Sequence, residues 1–326
     1  MSLSRRQFFE TAAIGAAAAN VLLGAEIDSK TGMPTRVFGR TGAKISILAF
    51  GCGSRFLSYK KDDDAIAALN RALDLGVSYV DTAYGYGNGK SESRVGEVMK
   101  TRRNQVWLTT KVQVRNGDEA MRIVEGSFKR LQTDHIDLIH VHSLSDDADL
   151  AAVEAPDGVL KRLYKLRDEK AIRAVGVTSH SDPVVLAKAI EHNDFDCTQM
   201  ALNAARCGMR NGQGRMVVNE AMHDSFELIA LPAALKKKMG VTAMKVFAQE
   251  ALVDKASAEK LISYALTLPV AAATVGMPKP EFIEKNVEIA KAFKPLPKSE
   301  MRKLSGDLSM KYKAQIDRFF ADHIDA

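Results

Sequence analysis

Asp81, Lys111 and His142 each stand at the end of a short β-rich run, and all three carry charge or exchange a proton. Thr178 and Ser179 close a further run, and Gln199 falls inside another. Side chains alternate along a strand, so Trp107, Thr109 and Lys111 share one face, as do Ile136, Leu138, His140 and His142. If Leu138 points into a core, both histidines follow it. His142 then lies nearer the strand end as the catalytic candidate, with His140 an interior or supporting group. An ammonium, a carboxylate and an imidazole at one height are costly to bury without a use, and the chemistry open to them is acid–base chemistry.

Other motifs offer less. Gly85-Tyr86-Gly87-Asn88-Gly89-Lys90-Ser91 ends like a phosphate loop, but the required first glycine falls on Tyr84, one residue short. Gly51-Cys52-Gly53-Ser54-Arg55-Phe56 follows the first strand and lacks the third glycine of a dinucleotide fingerprint. Cys52, Cys197 and Cys207 form no CxxC pair and are odd in number, which argues against zinc, an iron–sulfur cluster or a disulfide framework. They read as buried small hydrophobes. No metal-ligand cluster accompanies His142.

The elements that position these groups follow a regular order. Thr35 to Phe38 and Ala43 to Ser46, joined by Gly39-Arg40-Thr41-Gly42, read as a hairpin. Strand candidates follow at Ile47 to Phe50, Ser78 to Asp81, Val106 to Lys111, Ile136 to His142, Ile172 to Thr178, Cys197 to Ala201, Val241 to Val246 and Ala271 to Val275. Helical stretches such as Asp62 to Leu75, Asp118 to Leu131, Asp157 to Asp168, Pro183 to Glu191 and Ser257 to Leu268 separate them. Eight strand-then-helix repeats without a linker predict one α/β body, a single (β/α)₈ TIM barrel with an N-terminal β-hairpin and a C-terminal helix. That helix, over Ser299 to Ala326, carries Met301, Leu304, Leu308, Tyr312, Ile316 and Phe319 near one stripe, for core packing or as a lid over the mouth.

The chain has 326 residues, and 46 Lys+Arg against 40 Asp+Glu give a net charge of only +6. No basic cluster interleaved with aromatics appears, and Lys236, Lys237 and Lys238 read as a solvated helix end, so no nucleic-acid partner is expected. Residues 1–25 differ from the rest. Ser4-Arg5-Arg6-Gln7-Phe8-Phe9 precedes an apolar run from Thr11 to Ala25, too short for a comfortable membrane span and resembling a twin-arginine signal peptide. The reading is therefore a signal over 1–25 and a barrel over 26–326, in a bacterial protein exported to the periplasm after folding. The twin-arginine export machinery would be one partner. A bound cofactor is the usual reason for folding first.

Asp81-Thr82-Ala83-Tyr84-Gly85-Tyr86-Gly87 with Ser91-Glu92, then Thr109-Thr110-Lys111, then Asp134 to His142, resembles the aldo-keto reductases from about residue 35 to 290, ending with Glu284-Lys285-Asn286. The resemblance implies an NAD(P)(H)-dependent oxidoreductase with a catalytic tetrad of Asp81, Tyr86, Lys111 and His142. Tyr86 is its general acid and base, and hydride passes between a nicotinamide and a small carbonyl or alcohol substrate. Tyr84 competes for the acid role but lies three residues past Asp81 instead of five. An ordinary tyrosine, with pKa about 10, is a reluctant donor, so Lys111 would favour ionisation and Asp81 would keep Lys111 charged. His142 would orient the carbonyl.

The implied cofactor site comprises Gly53, Ser54, Asp81, Thr178, Ser179, Gln199, Met244, Lys245, Gly276, Lys279 and Asn286. Three positions depart from the family pattern. Ser179 replaces an Asn of the carboxamide contact, Met244 replaces a stacking aromatic, and Lys279 stands in for the Arg that clamps a 2′-phosphate. NADP(H) is preferred over NAD(H). A cofactor-binding redox sensor or accessory subunit of the same fold is the alternative reading. Export suggests a retained cofactor and a redox recycling partner, and Arg206, Arg210 and Arg215 make an anionic carbonyl substrate worth testing.

Overall fold

In a computed structural model of the chain, the described residues are 25–212, 215–218, 225–248 and 252–321, with backbone alone at 209–212, 215–218 and 310–321. The signal assigned to the N-terminus therefore lies outside the described residues, apart from Ala25. Eight parallel strands close a barrel: β4 (Leu48–Gly51), β5 (Tyr79–Asp81), β6 (Trp107–Val112), β7 (Ile136–Val141), β8 (Ile172–Ser179), β9 (Cys197–Ala201), β12 (Gly240–Met244) and β13 (Ala272–Gly276). The seam is sealed by β13 pairing with β4, Ala273 opposite Leu48. All eight strands fall where the sequence placed them, within about two residues at each end.

Helices form on the outside because their sequences carry an apolar stripe with a start signal. In α2 (Asp62–Asp74), three acidic residues occupy the first turn, where they complement the helix dipole, and Ala65, Ala68, Leu69, Ala72 and Leu73 bury one face. Helix α4 (Gly117–Leu131) is capped by Asn116, whose side chain accepts from the backbone of Asp118 and Glu119. In α7 (Pro183–His192), Asp182 caps Val184 and Val185, and Pro183 sits in the first turn. Helix α3 (Lys90–Arg102) crosses α4 so closely that a Cβ on Gly96 would collide with the carbonyl oxygen of Arg130. The cysteines are free and buried, as expected.

The floor of the barrel is built by the chain's start. Strands β1 (Glu26–Ile27), β2 (Pro34–Val37) and β3 (Lys44–Ser46) form a small antiparallel sheet, one strand larger than the predicted hairpin. Phe38 leaves β2 and plugs the barrel, its ring edge-on to Tyr79 and Trp107 at centroid distances of 5.6 and 5.8 Å. Leu138, Ala174 and Cys197 pack with these rings, which fixes the inward parity of each strand.

Two stretches that follow barrel strands carry structure of their own. Ser143 to Ala155 contains α5 (Asp147–Glu154), capped by Asp146 and braced by Arg115 on Asp149. The stretch from Asn203 to Asp224 contains an antiparallel pair, β10 (Met209–Gly212) and β11 (Arg215–Val218), within its described part. The terminal helix α11 (Lys298–Ala321) lies beside β11, with Leu308 buried and Ser309 donating to the carbonyl of Ala205 at 3.2 Å. Met301 and Leu304 pack on the core; Tyr312, Ile316 and Phe319 lie outside the described side chains.

Candidate active site

The inward parity set by Leu138, Tyr79 and Trp107 carries His142, Asp81 and Lys111 to the upper end of the lumen. Lys111, 1% exposed, donates to Asp81 Oδ2 at 2.8 Å and to the Thr82 carbonyl at 3.0 Å, and its Nζ stands 3.4 Å from the Tyr86 hydroxyl. His142 meets the Tyr86 ring edge-on at 5.6 Å. The four predicted tetrad residues are thus one cluster. Burial and then the nearby Lys111 charge hold the His142 imidazole well below the usual histidine range, which favours its neutral form. Tyr84 stacks under the Arg130 guanidinium at 4.8 Å, on the helix side, which leaves Tyr86 as the phenol beside Lys111.

The glycine-rich stretch dismissed as a phosphate loop has a use in presenting that phenol. Gly87, Asn88 and Gly89 all adopt positive φ, turning the chain sharply between Tyr86 and α3. Behind the turn, Ser91 Oγ donates to the carbonyl of Cys52 at 2.7 Å and accepts from Thr82 at 2.7 Å, fixing the residue whose carbonyl receives Lys111. Buried Glu92 holds Thr110 at 2.6 Å and Arg130 at 2.7 Å.

His140 sits one step lower and is fully buried; burial, with Lys111 second, pushes its imidazole well below the usual range. Below pH about 6.5 the unfolded chain takes up a proton that native His140 refuses, so stability falls with acidification. The expected contribution is about 1.4 kcal/mol per pH unit below that point. Urea midpoints of wild type and His140→Gln between pH 7.5 and 5 measure it: the variant's curve is expected to be flatter, and parallel curves would contradict the assignment.

A cleft of about 790 Å³ opens beside the tetrad, with Asp81 and Tyr86 in its wall. Of the predicted cofactor residues, Gly53, Ser54, Gln199, Met244, Lys245, Gly276 and Asn286 line it together with Asp81. Thr178, Ser179 and Lys279 are not among the residues bordering it. Thr178 Oγ1 accepts from the backbone of Ser143 at 2.8 Å, and Ser179 Oγ donates to the Leu144 carbonyl at 2.7 Å, so both hydroxyls tie down the loop after β7. Lys279 is exposed and marks the start of α10 (Pro280–Lys291).

Arg55, Thr274, Asp254, Ser257, Phe282 and Lys285 line the cleft without having been predicted. Thr274 was findable, since it alternates with Ala272 and Gly276 on β13; it accepts from Gln199 Nε2 at 3.3 Å. Arg55 and Lys285 directly follow and precede the predicted Ser54 and Asn286. Arg206 is engaged by Glu227 at 3.1 Å, while the side chains of Arg210 and Arg215 lie outside the described set. Among the described residues no group of metal-ligating side chains gathers.

Residues 48–260 match the model of the Aldo/keto reductase family. The chain belongs to that family. Among aldo-keto reductases it is 35% identical over 155 residues to aldo-keto reductase YhdN of Bacillus subtilis, a match covering 44% of this chain and 45% of that protein. The chain spans about half the length of the curated relatives it matches. In fold it is similar to aldo-keto reductase AKR11C1 from Bacillus halodurans in its holo form, with a TM-score of 0.67 at 23% identity, covering 85% of this chain and 96% of that one. It is also similar to an aldo-keto reductase from Klebsiella pneumoniae in complex with NADPH, with a TM-score of 0.63 at 22% identity over 90% of this chain and 98% of that one.

Proposed function

We propose that this aldo-keto reductase interconverts small carbonyl compounds and alcohols with NADP(H), using Tyr86 as the proton donor and acceptor. The observation that carries the reading is the placement of Lys111 between Asp81 at 2.8 Å and the Tyr86 hydroxyl at 3.4 Å, in the wall of a cleft large enough for a dinucleotide. The cleft suits that cofactor in shape and charge. Gly53, with Tyr86 3.6 Å from where a Cβ would stand, leaves room for a flat ring, and Arg55, Lys245 and Lys285 supply cations for phosphates. The NADPH-bound Klebsiella relative supports the choice of cofactor. Bound there, the nicotinamide supplies or accepts the hydride.

The protein's own part is electrostatic and acid–base. The Lys111 ammonium stabilises negative charge developing on the phenolic oxygen as its proton leaves for the substrate oxygen. Asp81 and the Thr82 carbonyl compensate that ammonium inside the barrel, where an unpaired charge would be expelled or neutralised. Neutral His142 donates to the same substrate oxygen. Lys285 and Arg55 take over the 2′-phosphate role assigned from sequence to Lys279. NADPH and NADH titrations followed by cofactor fluorescence, with turnover of a panel of small aldehydes, test the reading. NADPH is expected to bind at least ~10-fold more tightly, a preference lost in Lys285→Ala. Absence of binding by either nucleotide would end it.

The sensor or accessory-subunit reading has one observation in its favour, the engagement of the Thr178 and Ser179 hydroxyls by the loop after β7. Tight NADPH binding without turnover on any carbonyl would select it. For the export half of the proposal, Arg5→Lys together with Arg6→Lys is expected to leave the protein in the cytoplasmic fraction, and unchanged periplasmic recovery would refute the twin-arginine route. A retained nicotinamide regenerated by a redox partner follows from export, and it predicts cofactor that survives exhaustive dialysis of the exported form.

A further inference from the structure

One layer below the tetrad, the lumen is lined by Tyr79, Thr109, His140 and Thr242, each two positions before Asp81, Lys111, His142 and Met244 on the same inward face. All four are fully buried. Tyr79 Oη, Thr109 Oγ1, Thr242 Oγ1 and both ring nitrogens of His140 complete no hydrogen bond, and neither does Asp81 Oδ1, whose contact with Lys111 is ionic at 2.8 Å. These six atoms are half of the twelve buried side-chain nitrogens and oxygens left unpaired among the described residues. They gather in one place. Thr109 and Thr242 stand near enough to the Tyr79 hydroxyl to act on it as weak hydrogen-bond neighbours and offset part of the upward push of burial, but no pair among the three meets hydrogen-bond geometry. The His140 ring fills the lumen over Gly176, where a Cβ would collide with Nδ1.

By contrast, Thr82, Ser91, Glu92 and Thr110, just outside this layer, are all paired. Left dry beside that ion-paired carboxylate oxygen, the other five atoms would cost a sum comparable with the whole stability of a domain. What satisfies them must both donate and accept. Neutral His140 offers one donor and one acceptor, the hydroxyls offer both, and Asp81 Oδ1 only accepts. An anion would be repelled by Asp81, and an apolar guest would leave every group unpaired. Water matches the set, since a buried water makes about three hydrogen bonds.

We propose that the barrel encloses a hydration site one layer beneath the tetrad, where ordered water is held by His140, Tyr79, Thr109 and Thr242 and donates to Asp81 Oδ1. That water adds a donor to a carboxylate whose two oxygens both stand 2.8 Å from the Lys111 ammonium, so Asp81 can hold the lysine without being desolvated on every other face. The proposal concerns the resting protein and stands or falls separately from the reductase reading.

Its test uses the full chain without added nucleotide. A crystal structure fine enough to resolve water is combined with urea unfolding of Thr109→Val and Thr242→Val, which remove a hydroxyl with almost no change of shape, and of Thr109→Ser, which keeps one. Expected are water density within about 3.2 Å of at least three of the six atoms, and lower midpoints for both valine variants, with the folded-to-unfolded ratio reduced about five-fold. The serine variant should retain the water. A dry layer would overturn the proposal. So would valine variants with raised midpoints, because deleting an unpaired buried hydroxyl stabilises.

Discussion

Tyr86→Phe is expected to lower turnover by roughly three orders of magnitude while leaving NADPH affinity within about two-fold, because the substitution removes a proton and little else. The ring stays against Gly53 and edge-on to His142, so the cleft wall keeps its shape. The neutral imidazole of His142 cannot replace the lost acid, since burial and Lys111 keep it from holding a second proton near neutrality. Steady-state rates and a nucleotide titration on the same preparation decide the matter. Turnover near wild type would remove Tyr86 from the mechanism, and loss of NADPH binding would recast it as a cofactor contact.

Lys111→Met should fail in two ways at once. Turnover is expected to fall by at least ~10³, as charge on the phenolic oxygen loses its counter-ion. Stability is expected to fall by about 3–5 kcal/mol, the usual cost of breaking a buried ion pair by removing one partner. The loss arises because Asp81, buried with its carboxylate 2.8 Å from the ammonium, would lose its compensation. The double variant Lys111→Met with Asp81→Asn separates the effects: urea unfolding should recover most of the stability, and the rate should stay low. A single variant as stable as wild type would show that Asp81 finds other compensation in the barrel.

Much of this arrangement was legible because it is written in periods. Alternation along Trp107 to Lys111 and Ile136 to His142 decides which side chains enter the lumen; the register sets Asp81 opposite Thr109 and Lys111 opposite His140, so Lys111 and His142 each lie one inward step further along their strands, at the same end of the barrel as Asp81. The same rule would have found Thr274. What escaped was decided by partners distant in sequence. Nothing local to Ser179 shows that its hydroxyl goes to the carbonyl of Leu144, and the cap at Asp146 starts a helix locally but only the distant Arg115, closing on Asp149, ties it to the barrel. Lys279 and Lys285 lie on the same short segment with the same charge. Only the turn into α10 determines which of them faces the cleft.

The small sheet and Phe38 that floor the barrel lie at the end opposite the tetrad. Whatever precedes Glu26 therefore joins the molecule on the far side from the cleft, about 20 Å away by the length of a six-residue strand. Under the proposed export route, a leader attached there would start from the end of the barrel remote from the cleft, so a nucleotide could enter the mouth of the precursor without passing the point of attachment.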